Sequence, residues 1–204
     1  MSSALRPPLC VPLFLAAMIA AGCSGAPPSP GPATLAPDPK GRASLEADRL
    51  FDEGVEAARA RAFVRAADLF RASLAVDPDR VETRYNLGLA LLETGELEEA
   101  AGWLQEAARA RPQHAETRYA LGSALRRRGE LASALAEFEA TLRLEPDHAK
   151  AAYALARTLD DLGRKDEGRR AWERFLDRFP DDARAPEARA RLSEGSGSRP
   201  ERPR

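Results

Sequence analysis

Residues 81–114 read VETRYNLGLALLETGELEEAAGWLQEAARARPQH. Two amphipathic helical patterns are separated here by Gly95 and closed off by Pro112. The same pattern returns 34 residues later over 115–148, again over 149–182, and in weaker form earlier over 47–80. Several series keep step with that period. Small residues recur at Gly54, Gly88, Gly122 and Ala156, and again at Ala66, Ala100, Ala134 and Gly168. Large apolar residues recur at Phe70, Leu104, Phe138 and Trp172, aromatics at Phe51, Tyr85, Tyr119 and Tyr153, and prolines at Pro78, Pro112, Pro146 and Pro180. Self-similarity at this spacing marks a stack of helical hairpins, each burying its apolar face against the next, and not a single closed core.

Within each repeat the helix boundaries follow from local chemistry. Gly95, Gly129 and Gly163 end the first helix of a pair, where a residue free to take positive φ is needed. Arg61 stands at that place in the first repeat. The prolines stop or precede helices, because proline removes an interior backbone donor. Predicted helices run from Ser44 or Leu45 to Ala60, then Ala62–Val76, Asp79–Thr94, Leu97–Ala110, Gln113–Arg128, Leu131–Leu144, Asp147–Leu162 and Lys165–Phe179. Asp79 with Glu82 reads as a capping box, and Asp147 and Asp181 as simpler N-caps. A last helix over Asp182–Ser193, with Pro186 in its first turn, carries a short stripe of Ala185, Ala188 and Leu192 beside charged residues, as a capping helix does.

These slots resemble the tetratricopeptide repeat (TPR), a helix–turn–helix unit of this period. The resemblance covers roughly 47–182 and implies an all-α, right-handed α-solenoid of about four repeats closed by the capping helix. Two departures fall at the ends of the array. Glu53 stands where Leu87, Leu121 and Leu155 recur. In the last repeat Lys165 replaces Leu97 and Leu131, and Phe175 replaces the small residues Ser73, Ala107 and Thr141. Terminal repeats are expected to be atypical, having a neighbour on one side only.

The first part of the chain follows other rules. Arg6 precedes an apolar run, Leu9–Ala21, of 13 residues. A bilayer-spanning helix needs about 20, whereas this length suits a secretory signal. The run ends in Ile19-Ala20-Ala21-Gly22-Cys23, which resembles the lipobox of bacterial lipoproteins, although Ala20 stands where that family usually has Leu. The resemblance implies removal of 1–22, a diacylglycerol on the Cys23 sulfur, and anchoring in the cell envelope. With Ser24 next, the family analogy points to the periplasmic face of the outer membrane in a Gram-negative cell. With Cys10 removed, Cys23 would have no cysteine in its own chain to pair with. The alternative is an ordinary secretory signal in which Cys23 is incidental. Residues 23–43 are rich in Pro, Gly, Ala and Ser and read as a disordered tether before a repeat domain over 44–193. Residues 194–204 read as a disordered tail.

The chain has 204 residues and a net charge of -1, which offers no broad basic footprint for nucleic acid. No catalytic constellation, glycine-rich phosphate loop or metal-ligand cluster stands out. The two histidines, His114 and His148, share one repeat slot and read as helix-start residues. The sequence therefore predicts a non-enzymatic protein with no cofactor, metal or small-molecule substrate. What it offers is a surface. In the TPR family the first helices of the pairs line a concave groove, and the matching places here include Phe51, Tyr85, Leu89, Tyr119, Arg126, Arg127, Tyr153 and Arg157. The four aromatics form a ladder that either contacts a ligand or packs between repeats. Arg126-Arg127-Arg128 either meets an acidic segment or complements a helix C-terminus. The carboxylate clamp of chaperone-tail-binding TPRs is absent: Asn86 matches one clamp place, but Phe51, Val55, Glu116 and Ala120 occupy the others.

The expected function is a membrane-anchored adaptor that holds a protein or peptide segment in this groove. Lipoproteins of the family assist secretin and pilus assembly or cell-wall machinery. The rivals are a self-associating structural lipoprotein and a non-catalytic accessory subunit of an envelope enzyme.

Overall fold

The computed structural model describes residues 39–196. Cys23, the signal segment and most of the tether lie outside the described residues. Nine helices and no strands are present among those described: α1 (Pro39–Arg59), α2 (Phe63–Val76), α3 (Val81–Thr94), α4 (Leu97–Ala110), α5 (Ala115–Arg127), α6 (Leu131–Leu144), α7 (Ala149–Asp161), α8 (Lys165–Arg178) and α9 (Ala185–Ser196). They stack as an α-solenoid of four hairpins, α1–α2 through α7–α8, with α9 packed on α8. The backbones of the odd-numbered helices α1, α3, α5 and α7 approach one another in series, whereas those of the even-numbered helices stay farther apart. The odd helices therefore line the inner curve.

Within a hairpin the two helices cross where the small slot meets the large one. A β-carbon built on Gly54, Gly88 or Gly122 would come within 2.6, 2.5 and 2.7 Å of Phe70, Leu104 and Phe138 respectively, closer than any real contact. Glycine there lets the helix backbone serve as the floor for a side chain that is 0–1% exposed. In the fourth hairpin Ala156 stands at this slot, and Trp172 fills the space, donating its indole N–H to Asp160 at 2.8 Å.

The turns repeat as well. Gly95, Gly129 and Gly163 adopt φ of 89°, 85° and 72°, and the following amides bond back to Leu91, Leu125 and Leu159 at 3.0, 2.9 and 3.0 Å. This is the Schellman closure of a helix. The first hairpin makes the same closure, Ala62 to Ala57, with Arg61 at φ 59°. A side chain in the left-handed region costs about 1–2 kcal/mol.

Three expectations are corrected. The helices that start repeats 2, 3 and 4 begin two residues later than predicted, so the aspartates do not cap them. The N-cap residues are Arg80, His114 and His148. The Nδ1 atoms of the two histidines accept the Thr117 and Ala151 amides at 3.3 and 3.1 Å, while Arg80 makes no side-chain cap. Asp147 instead binds Arg178 at 2.6 Å, and Glu82 pairs with Arg111. At the front of the domain α1 starts at Pro39, inside the stretch read as tether. Proline suits a first helical position because its missing N–H would have no partner there. At the back, α9 starts at Ala185, not Asp182, and reaches Ser196, past the predicted end at Ser193. Asp182 closes the turn before it, accepting the Arg184 amide and both guanidinium branches at 2.7–2.9 Å.

Phe175 changes the end of the array. The corresponding Ser73, Ala107 and Thr141 are fully buried small residues, and Ser73 donates to the Ala47 carbonyl across its own hairpin at 2.9 Å. Phe175 is also buried, at 1%, but packs on Tyr153, Trp172 and Phe179. With this ring at the joint, α9 packs on α8 and reaches α7 through the Tyr153–Glu187 hydrogen bond, whereas the earlier odd-numbered helices approach one another by their backbones. The exposed large apolar side chains among the described residues are Leu45 and Val64, both in the first hairpin.

Candidate functional site

The inner face is built from one stripe of each odd helix. Along it the aromatic slot is partly buried in all four repeats. Each ring leans on its surroundings. Phe51 and Tyr119 contact the large residues of their own hairpins, Phe70 and Phe138, at centroid distances of 5.8 and 5.9 Å. Tyr153 contacts Trp172 at 5.3 Å. Each ring is also covered from the joint with the next repeat: Phe51 by the Arg80 guanidinium at 4.5 Å, Tyr85 by the His114 edge at 5.6 Å, Tyr119 by His148 at 4.8 Å, and Tyr153 by Arg184 at 5.2 Å. The ladder thus joins repeats while keeping one edge in the groove. Burial, helped by Glu116, raises the Tyr85 phenol above its ordinary range. Burial likewise raises Tyr153, whose hydroxyl donates to Glu187 of α9.

The three predicted arginines are engaged within the array. Arg126 of α5 reaches Asp161 of α7 at 2.5 Å. Arg127 donates to the Leu92 carbonyl in the last turn of α3. Arg157 lies 5.9 Å from the Tyr153 ring centroid. Their neighbour Arg128 binds Glu98 and Glu130 at 2.5 and 2.9 Å. The run of arginines therefore complements carboxylates and a helix end across repeat joints, where cations are favoured. Leu89 is partly buried against the core of the first repeats, and at the same place of the next repeat the Ser123 hydroxyl donates to the Tyr119 carbonyl at 2.9 Å.

A second series on this face was not read from the sequence. The second residue of each of the first three repeats is acidic, and each meets a basic side chain from near the end of its own repeat: Asp48 with Arg80, Glu82 with Arg111, Glu116 with the His148 ring at 3.4 Å. The Glu82 carboxyl is held below its usual range, first by a backbone N–H and then by Arg111. In the fourth repeat the signs invert, with Lys150 at the acidic place and Asp182 at the cationic one. Lys150 makes no ion pair among the described residues, and neither does Glu93. An acid at the second place of a repeat with a basic residue in its last four places was the signal that could have revealed the series. On the outer side, Arg71 bridges Glu96 and Glu99 of the next hairpin at 3.2 and 2.8 Å, and Glu99 also accepts from Trp103.

No group of three or more His, Cys, Asp or Glu residues is arranged to hold a metal ion among the described residues. No described helix is long and apolar enough to cross a membrane. The inner face offers ring edges, an aliphatic side chain, a hydroxyl and a few uncompensated charges. Such a surface is suited to holding a segment of another molecule by contact.

Comparison with known proteins agrees with this geometry. Family profiles described as tetratricopeptide repeat match residues 51–115 and 125–192. A search of curated proteins finds no significant match. Among solved structures, MamA superposes with a TM-score of 0.68 at 26% identity, covering 74% of this chain and 83% of MamA. A second MamA structure gives 0.66 at 27%, covering 71% and 84%. YrrB, described as a TPR protein with an unusual peptide-binding site, superposes at 0.68 with 24% identity, covering 72% and 76%. With the two profiles spanning more than half of the chain and the hairpins stacked as the period requires, the protein belongs to the tetratricopeptide repeat family.

Proposed function

We propose that this protein is a lipid-anchored adaptor of the bacterial cell envelope that holds a segment of a partner protein along its inner face. The observation that carries the reading is the continuous inner stripe of partly exposed Tyr85, Leu89, Tyr119, Ser123 and Tyr153. Its rings are fixed by packing, so they would lose little rotamer freedom when a ligand arrives. The YrrB description supports a peptide as ligand, by fold alone. The anchor rests on the Ala21-Gly22-Cys23 motif. Two or more acyl chains on Cys23 would hold the repeats at a membrane surface and confine assembly there. Its place on the outer membrane, and a role in assembling secretin, pilus or cell-wall machinery, extend the same reading.

Site-specific photocrosslinking in the native membrane tests both halves. A photoreactive residue at Leu89 or Ser123 is expected to capture a partner that the same residue at Gly102, open on the outer side, does not. Equal capture from Gly102 would move the site off the inner face. Cys23→Ser is expected to abolish labelling by a fatty-acid probe and release the protein from membranes; unchanged partitioning would remove the anchor.

A further inference from the structure

One slot changes its chemistry from joint to joint along the array. The last residue of each repeat is the N-cap of the next odd helix, and the third residue of that helix stands opposite it. Before α3 these are Arg80 and Thr83; no side-chain cap forms, and the buried Thr83 hydroxyl makes no hydrogen bond among the described residues. Before α5 they are His114 and Thr117. There Nδ1 accepts the Thr117 amide at 3.3 Å and lies 2.7 Å from the Thr117 hydroxyl. Before α7 they are His148 and Ala151. There Nδ1 accepts the Ala151 amide at 3.1 Å, and the opposing side chain offers no hydroxyl.

The His148 side chain is only 5% exposed, whereas His114 is exposed. Its ring lies against Tyr119 of α5 at 4.8 Å. Because Nδ1 is the acceptor, the proton of the neutral ring sits on Nε2. That atom is buried, makes no hydrogen bond among the described residues, and stands 3.4 Å from a carboxylate oxygen of Glu116 on α5. Other charges around the joint are engaged elsewhere or exposed. Asp147 is held by Arg178 of α8, and Arg184, which acts on Tyr119, is held by Asp182. Lys150 in the first turn of α7 and Glu145 at the end of α6 are exposed and form no ion pair among the described residues.

We propose that His148 is a proton-operated switch at the joint of repeats 3 and 4. Neutral, it caps α7. Imidazole takes up a proton between about pH 8 and pH 5. The added proton must sit on Nδ1, where it meets the Ala151 N–H donor to donor, and the cap is lost. The same charge draws Nε2–H onto Glu116 and closes the gap into an ion pair across the joint. Acid therefore exchanges a bond to α7 for one to α5. The first turn of α7 loosens, and the ring changes its seat on Tyr119. Loss and gain oppose each other, so the switch alters which bond is made more than it alters overall stability. His114 is buffered against the same change, because the Thr117 hydroxyl can turn and accept from a protonated Nδ1. The switch belongs to the joint and operates whatever the inner face holds.

The test is nuclear magnetic resonance of the isotope-labelled full chain in detergent solution. Imidazole nitrogen shifts are expected to show His148 Nδ1 as a bare acceptor at about pH 7.5 and protonated at about pH 5. Over the same range the Ala151 amide should lose about fivefold of its protection, corrected for intrinsic exchange, while the Thr117 amide keeps its own. His148→Asn, which caps without titrating, is expected to make Ala151 protection independent of pH. Glu116→Gln should move the His148 transition to lower pH by removing the carboxylate that attracts the proton. An Nδ1 that stays a bare acceptor at pH 5, or Ala151 protection that falls equally in the asparagine variant, would overturn the proposal. So would a transition unmoved by Glu116→Gln, because the charged ring would then have no partner on α5.

Discussion

Repeats 3 and 4 have the same length, the same turn and the same crossing of helices, yet they solve packing differently. Repeat 3 relies on backbone: Gly122 brings α5 against Phe138, and the Arg118–Glu137 pair fills the outer groove. Repeat 4 relies on side chains. Trp172 with its Asp160 partner replaces the glycine contact, Phe175 takes a small-residue slot, and Ala152 and Ala171 stand at the places of Arg118 and Glu137. The third repeat has neighbours on both sides and must match both. The fourth has only α9 beyond it, so its side chains are free to depart from the pattern. Departures from the period therefore gather where one neighbour is missing.

The sharpest way to break the comparison is to empty each crossing. Phe138→Ala and Trp172→Ala should each cost about 3–5 kcal/mol. They should differ in reach. Hydrogen exchange is expected to rise throughout the array for Phe138→Ala and to be confined to α7, α8 and α9 for Trp172→Ala. A global response to both would show that repeat 4 is as tightly coupled as repeat 3. A smaller effect probes the backbone contact itself. Gly122→Ala places a β-carbon 2.7 Å from Phe138 and is expected to destabilise by about 1–3 kcal/mol in urea denaturation. Gly102→Ala, with nothing within 4 Å, should stabilise by about 0.5–1 kcal/mol through helix propensity. Equal effects would mean that the crossing relaxes freely.

The smallest effect concerns the last turn. Arg184 lowers the Asp182 carboxyl from 3.8 to about 2 through its hydrogen bonds. A depressed acid contributes stability that is fully present above its unfolded pKa and disappears as pH falls through the folded one. Asp182→Asn should therefore cost about 1 kcal/mol at neutral pH. That difference should shrink between about pH 4 and pH 2, followed as exchange protection of α9. A difference that persists at pH 2 would assign the turn to packing of Phe175 and Tyr153 in place of charge.

The period made most of this legible beforehand. Leu97–Ala110 and Leu131–Leu144 end where the glycines and prolines place them, because turn chemistry and apolar spacing are local properties. Glu53 and Phe175 stood out as end-of-array departures for the same reason. The caps were misread because Asp before a helix is the usual signal, and the histidine that replaces it accepts through Nδ1 only once the turn has folded. The arginines were singled out, but their partners were not readable. Arg126 and Asp161 lie 35 residues apart and meet only through stacking, and an Ala–Ala pair is silent until the Arg–Glu pair it replaces is seen in place.

Each helix of the array meets only helices one or two places away along the chain. A nascent polypeptide can therefore complete one hairpin while the next is still being synthesised, with no strand or segment waiting for a distant partner. On the ribosome, α9 would be the last of the described helices to settle.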